Sequence, residues 1–209
     1  MHPRRRGVTL TRMTDQEDAI SPVPDPAASP AAAFRQFSLT AYSAPQVEGV
    51  CLALQESHGL DVNLLLLCCW VGRHGVRLPT DTLRRADQAV APWRETAIGP
   101  LRALRRRLKA SVGGIGAETA ADLRRKIKEA ELDAEFIEQD HLMTLMDHLP
   151  GTDGRAADRA GLVRGNLIRY ASMAGIAAGD MPRDAFEILV AATVPGESAA
   201  EGAELDSLR

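Results

Sequence analysis

Aromatic residues are scarce in this chain: four Phe, two Trp and two Tyr make up 4% of 209 residues. Strands are enriched in aromatic and β-branched side chains, so a core that must be built from Leu, Ala, Val and Ile argues against a sheet and for helices. Cysteine is also sparse. Cys51, Cys68 and Cys69 are an odd number in apolar helical segments, with neither a disulfide framework nor zinc-type spacing. Reduced, buried thiols in a cytosol are the expected state. Charge of one sign is not in excess: 25 basic and 28 acidic residues give a net charge of −3, so no global field draws the chain to nucleic acid or an anionic membrane. The longest apolar run, Val62 to Val71, is half of the ~20 residues that a helical membrane span needs. Arg4, Arg5 and Arg6 are not followed by an apolar region, so a signal peptide is not expected and the location expected is the cytoplasm. Nucleophile-elbow, phosphate-loop and dinucleotide motifs are lacking, and no cofactor is expected.

What the chain does have is the segment Asp61-Val62-Asn63-Leu64-Leu65-Leu66-Leu67-Cys68-Cys69-Trp70. It reads as the centre of the core, capped by Asp61. Asn63 is its one polar misfit, and a buried amide without partners costs about 1–3 kcal/mol.

Residues 1–31 hold Pro3, Pro22, Pro24, Pro26 and Pro30 among Asp, Ser and Ala and read as a disordered arm; residues 195–209 are small and acidic and read as a disordered tail. Between them, residues 32–149 read as a helical core domain and residues 150–194 as a helical extension packed on it. The whole is expected to be all-α, an irregular bundle of six or seven helices with disordered ends. Ser43-Ala44-Pro45 reads as a cap, Gly59 as a helix stop, Thr80 as a cap, Pro92 as a bend or break, and Gly113-Gly114-Ile115-Gly116 as a turn. The long helix from about Ala117 to Leu149 places Leu123, Ile127, Ala130, Ala134, Ile137 and Leu145 on its apolar stripe.

The run from Tyr42 to Gly59, then Asp61-Val62-Asn63-Leu64-Leu65-Leu66, Pro92-Trp93-Arg94 and Pro100-Leu101-Arg102, resembles an uncharacterised family of small helical proteins from proteobacteria, a conserved domain of unknown function. The resemblance covers roughly residues 33–147. It implies an all-helical bacterial protein and supplies no activity, cofactor or catalytic residue. Residues 150–209 lie outside it and read as an addition to the family's domain.

Three constellations remain. Glu138 and His141 form a Glu-x-x-His step and His148 shares their face, but no second copy completes a metal site, and a hydrogen-bonded core histidine is the better reading of His141. Arg102, Arg105, Arg106 and Lys109 are expected outward on a helix whose core stripe is Leu101, Leu104 and Leu108. Such a face suits phosphates, yet Glu129, Glu131, Asp133, Glu135 and Glu138 on the next helix would partly neutralise it across the glycine turn, and few aromatics are present to stack on bases. A solvated face, with a protein-docking variant, is therefore preferred, and nucleic acid is not. Asn63, Trp70 and Trp93 are the candidate lining of a small-molecule pocket, against the plainer reading of an indole-anchored core. The function expected is that of a non-catalytic cytoplasmic interaction or regulatory protein with a protein partner; the alternative is a small-molecule-binding protein or enzyme with its pocket near those three residues.

Overall fold

The computed structural model describes residues 29–146 and 158–196. Eight α-helices follow one another: α1 (Pro30–Tyr42), α2 (Val47–His58), α3 (Val62–Arg73), α4 (Thr80–Trp93), α5 (Gly99–Arg107), α6 (Ala121–Met146), α7 (Arg159–Met173) and α8 (Arg183–Thr193). A π-helical turn, Arg94–Ile98, joins α4 to α5 without a break, so the eight make seven rods among the described residues. No strand forms among these residues; Val112 and Ile115 make one antiparallel bridge at the glycine turn. The all-α expectation holds.

Local chemistry sets the helix ends. Ser29 accepts from the Ala32 amide at 3.1 Å and Pro30 opens α1, so the helix begins inside the segment read as an arm; the rest of that arm, the tail beyond Gly196 and the expected helix end at Leu149 lie outside the described residues. Asp61 caps α3, its carboxylate accepting from the Leu64 amide at 3.0 Å, and Gly59 ends α2 with φ of 66°, a left-handed angle that glycine takes freely. Two expected caps are corrected. The Ser43–Pro45 turn leads to Gln46 as the residue before α2, itself left-handed at φ 69°, and Pro79 rather than Thr80 precedes α4. Pro92 neither breaks nor ends its helix. Its missing N–H, and that of Pro100, flank the π-turn, where the wider ladder absorbs the lost hydrogen bonds and shifts the register of everything after it.

α3 is the axis. Nine of its residues are buried, from Asn63 to Cys69 with Val71 and Gly72. α7 lies along it, and α7 and α8 contribute Val163, Leu167, Tyr170, Phe186 and Leu189 to the same core as α1–α4. Residues 158–196 are thus built into the core rather than laid over it. One residue closes the α3–α4 connection onto α7: the fully buried Asn166 accepts from the Leu78 amide at 2.9 Å and donates to the carbonyls of Val76 at 3.1 Å and Cys68 at 3.3 Å. A single side chain therefore satisfies three backbone groups, two of them buried and that of Val76 partly so.

Gly72 explains how α3 and α7 come so close. A Cβ there would stand 2.7 Å from the backbone N and Cα of Val163, atoms that cannot swing away. Gly72→Ala is accordingly expected to destabilise the fold by about 1–3 kcal/mol through overpacking, seen as a lower midpoint in urea at an unchanged slope. An unchanged midpoint would contradict this close approach.

Candidate functional site

α6 carries the decisive departure from the expected pattern. Leu123 and Ile137 are 53% and 52% exposed and Ala130 faces solvent, so of the expected apolar stripe only Ile127 and Ala134 are buried, with Leu145 packed partly buried against the core. The buried face instead runs Ile127, Glu131, Ala134, Glu138, Leu142 and Met146, with Gln139 beside it. Two carboxylates lie on it because the α4–α5 rod brings arginines there. Arg102 donates from Nε to Glu131 at 2.9 Å and from its terminal nitrogen to Glu135 at 2.7 Å, and Arg105 grips both oxygens of Glu131 in a bidentate pair. Arg102 and Arg105 are thus folded inward, contrary to the outward expectation, while Leu104, expected in the core, is 46% exposed. The register change at the π-turn and the antiparallel packing of α5 on α6 account for both. Burial would raise the Glu131 carboxyl, but Arg105 and Arg102 outweigh it and hold it below the usual range; Glu135, with burial dominant and one arginine contact, is raised.

These ion pairs form one wall of a cleft of about 480 Å³ between α1, α2, the start of α3, α5 and α6. Asn63 lies in it, its side-chain oxygen accepting from the Gln139 amide at 2.8 Å. Ser38 and Gln139, 3% and 4% exposed, reach the same cleft with Gln55. Ser38 Oγ, Gln55 Oε1 and Gln139 Oε1 have no hydrogen-bond partner among the described residues, a concentration of unmet polar atoms that native interiors rarely carry without use. Tyr42, Leu52, Leu132 and Phe136 supply apolar surface beside them. Arg106 pairs with Glu56 at 2.9 Å at the rim, and Lys109 stands further along it.

The trio Asn63, Trp70 and Trp93 does not converge. Trp70 packs with Phe34 and Phe37, ring centroids 5.9 and 5.1 Å away, and with His74 at 4.1 Å, apart from the cleft. Trp93 is 37% exposed and donates from Nε1 to the Ala134 carbonyl at 2.9 Å, on the other flank of α6. There it borders a second, more apolar groove of about 480 Å³ with Pro92, Ile137, Glu138 and His141. His141 is exposed, not a core histidine, because the buried turn of α6 runs through Glu138 and Leu142. Glu138 and His141 share that groove; no group of three or more metal-ligating side chains forms among the described residues, and His148 lies outside them.

Glu138 is the most perturbed acid. It is 1% exposed and neither oxygen makes a hydrogen bond. Burial and the neighbouring Asp61 carboxylate push it up to about 8; Arg94 and the Asn63 amide pull the other way without reaching hydrogen-bond geometry, and Glu135 adds repulsion. Arg94 is already engaged by Asp61 at 3.2 Å and Asp87 at 2.8 Å. The cysteines carry no such poise. Burial pushes Cys51 and Cys69 up to about 12 and raises Cys68 as well, which keeps all three as thiols.

Fold and cleft together define a small all-helical protein with a polar, ion-paired cleft beside its central helix. The chain belongs to the family described as "Protein of unknown function (DUF2390)", whose model matches residues 33–142, just over half of the 209. The match runs from α1 nearly to the end of α6 and so takes in the cleft, while α7 and α8 lie beyond it. No curated protein and no solved structure matches the chain.

The raised Glu138 gives a pH dependence with a definite sign. The folded protein holds this proton more tightly than the unfolded chain, whose carboxyl lies near 4.5. The group's stabilising contribution is therefore complete at acid pH and is lost as pH rises from about 4.5 through about 8. Glu138→Gln is expected to match the parent in urea at about pH 5 and to exceed it by on the order of 2 kcal/mol at about pH 9. Superimposable pH profiles for the two proteins would show that Glu138 does not hold this proton.

Proposed function

We propose that this chain is a non-catalytic small-molecule-binding protein, and that the ligand occupies the cleft between α1, α2, α5 and α6. The observation that supports the reading is the convergence there of Ser38, Gln55, Asn63 and Gln139, three of them with an unmet polar atom, beside apolar surface from Tyr42, Leu52, Leu132 and Phe136. Small-molecule sites are concave spaces of ~300–1,000 Å³ in which polar groups fixed on rigid elements stand beside apolar surface, and here the ion pairs of the wall add a charged border to that arrangement. The binding role is preferred to catalysis because Glu56, Glu131 and Glu135, three of the four acids at the cleft, are engaged by arginines and the thiols are held protonated. Within this reading Asn63 keeps the ligand role expected of it, while Trp70 and Trp93 leave the set.

A protein-docking role is the second reading. It is favoured by the groove on the far flank of α6, where Trp93 and Ile137 expose apolar surface. In that case Arg102 and Arg105 would serve as internal struts, and of the basic set the exposed Lys109, with Arg106 in its surface pair with Glu56, would meet a partner. We place the protein in the cytoplasm of a bacterium, a reading that rests on its three buried free thiols and on the family resemblance.

The test is a thermal-shift screen of parent and Leu52→Trp proteins against a panel of polar metabolites at millimolar concentration. Leu52 is half-buried at the cleft wall, and an indole there fills space without removing a hydrogen bond. A ligand at ~100 times its Kd should stabilise the parent by about 2.7 kcal/mol, which reads as a rise of several degrees in Tm, and should leave the variant where it was. A panel that shifts neither protein, or both alike, would sink the cleft reading.

A further inference from the structure

We infer that the cleft's ligand is a phosphorylated small molecule, whose phosphate sits in a basic hollow at the cleft's outer end; the inference rests on the ligand-binding reading above. The hollow, about 280 Å³, lies where the end of α5 meets the first turns of α6. Its lining is Arg105, Lys109, Ala121, Arg124, Arg125 and Lys128, five cations and no carboxylate. Arg105, Lys109 and Lys128 also line the large cleft, so the two spaces are confluent.

Ordinary surface chemistry accounts for part of this charge and leaves a remainder. Arg105 is bound by Glu131, and Arg125 by Asp122 and Glu129 at 2.6 and 2.8 Å. Arg124 meets only the Leu108 carbonyl at 3.5 Å, and Lys109 and Lys128 make no ion pair among the described residues. Cations at the end of α5 complement the helix dipole, which accounts for Lys109, but Arg124 and Lys128 lie within and beyond the opening of α6 and have no such explanation. The chain as a whole is acidic, so the hollow is not the overflow of a basic protein. A bound phosphate relieves the mutual repulsion of these cations, and arginine and lysine are the side chains that hold it.

Shape selects the kind of anion. A short, open hollow of six residues between two helices suits a single phosphate or diphosphate group rather than the long stripe that a nucleic-acid backbone needs. Behind it the cleft offers Ser38, Gln55, Asn63 and Gln139 to an uncharged polar body, with Tyr42 and Phe136 against its apolar faces. The ligand class is therefore an anionic phosphate end joined to a neutral, hydrogen-bonding body.

Calorimetric titration with inorganic pyrophosphate tests the hollow directly. The parent should bind saturably, and Lys109→Ala/Lys128→Ala should bind at least tenfold more weakly at an unchanged melting temperature, since both lysines are exposed. Leu52→Trp should bind pyrophosphate like the parent, because only the body end is filled. Failure of the parent to bind, or equal binding by the double variant, overturns the inference while leaving the thermal-shift screen to judge the cleft. Conversely, pyrophosphate binding with no metabolite that depends on Leu52 sinks the cleft reading and leaves the anion site standing. Sedimentation with phosphatidylcholine vesicles containing phosphatidate provides the other arm. Lysine-dependent sedimentation without pyrophosphate binding assigns the hollow to a lipid headgroup and overturns the soluble ligand.

Discussion

Asp61 is the joint on which the rest of the structure depends. Its side chain caps α3, its backbone N–H donates to the Tyr170 hydroxyl of α7 at 2.8 Å, and its other carboxylate oxygen lies 3.2 Å from Arg94 at the π-turn. One residue, 5% exposed, thus ties together the central helix, the helix packed along it and the rod that carries the arginines. Burying a carboxylate is tolerable only when such partners surround it. Here they fix the start of α3, and Asn63 stands two residues further on, in the cleft wall. Burial and the negative charge of Asp61 also drive the Tyr170 hydroxyl upward and Glu138 with it, so the joint sets the electrostatics on both flanks of α6.

The ion pairs between α5 and α6 do a different job. A buried salt bridge adds little net stability over an apolar contact of the same shape, but breaking one is severe. Arg102 and Arg105 on Glu131 and Glu135 therefore specify how the two helices pack, and they keep a polar wall where an aliphatic one would have closed the cleft. Unmet Ser38, Gln55 and Gln139 oxygens on the neighbouring elements are then less an accident of packing than the consequence of a wall held apart.

The central segment was legible because its pattern has one interpretation: an aspartate cap followed by an apolar run with a single polar residue, Asn63, makes a helix buried on nearly all sides. The buried amide of Asn63 and the pairing of α5 with acidic α6 followed from the same kind of reasoning. Other features were hidden by the rules used to read them. Periodicity assigns glutamate to the outside, so Glu131 and Glu138 could not be seen as the buried face of α6 until Arg94, Arg102 and Arg105 were placed opposite them. A proline inside a helix signals a break, and no local pattern announces a π-turn that carries the helix past Pro92. Asn63 and Trp70 do share a helical face, but seven residues set them about 10 Å apart along the axis, which puts Trp70 among Phe34 and Phe37 rather than in the cleft. Asn166 gave one available signal, an amide among the Gly, Ala, Leu and Val residues of α7, and its three backbone partners come from loop and helix residues roughly ninety positions earlier in the chain.

A ligand site, as proposed for the ion-paired cleft beside Asn63, and a mere packing defect differ in what the cleft's amides feel. Side-chain amide NMR observes it most directly, because Asn63 and Gln139 each place an NH2 group there. In titrations with phosphorylated metabolites, both amide pairs should shift together and saturably with at least one compound, along with the backbone of Ser38. Resonances at Trp93 and His141 on the far flank should stay in place. Cleft amides that remain still throughout, while the Trp93 groove responds, would contradict the proposed ligand site.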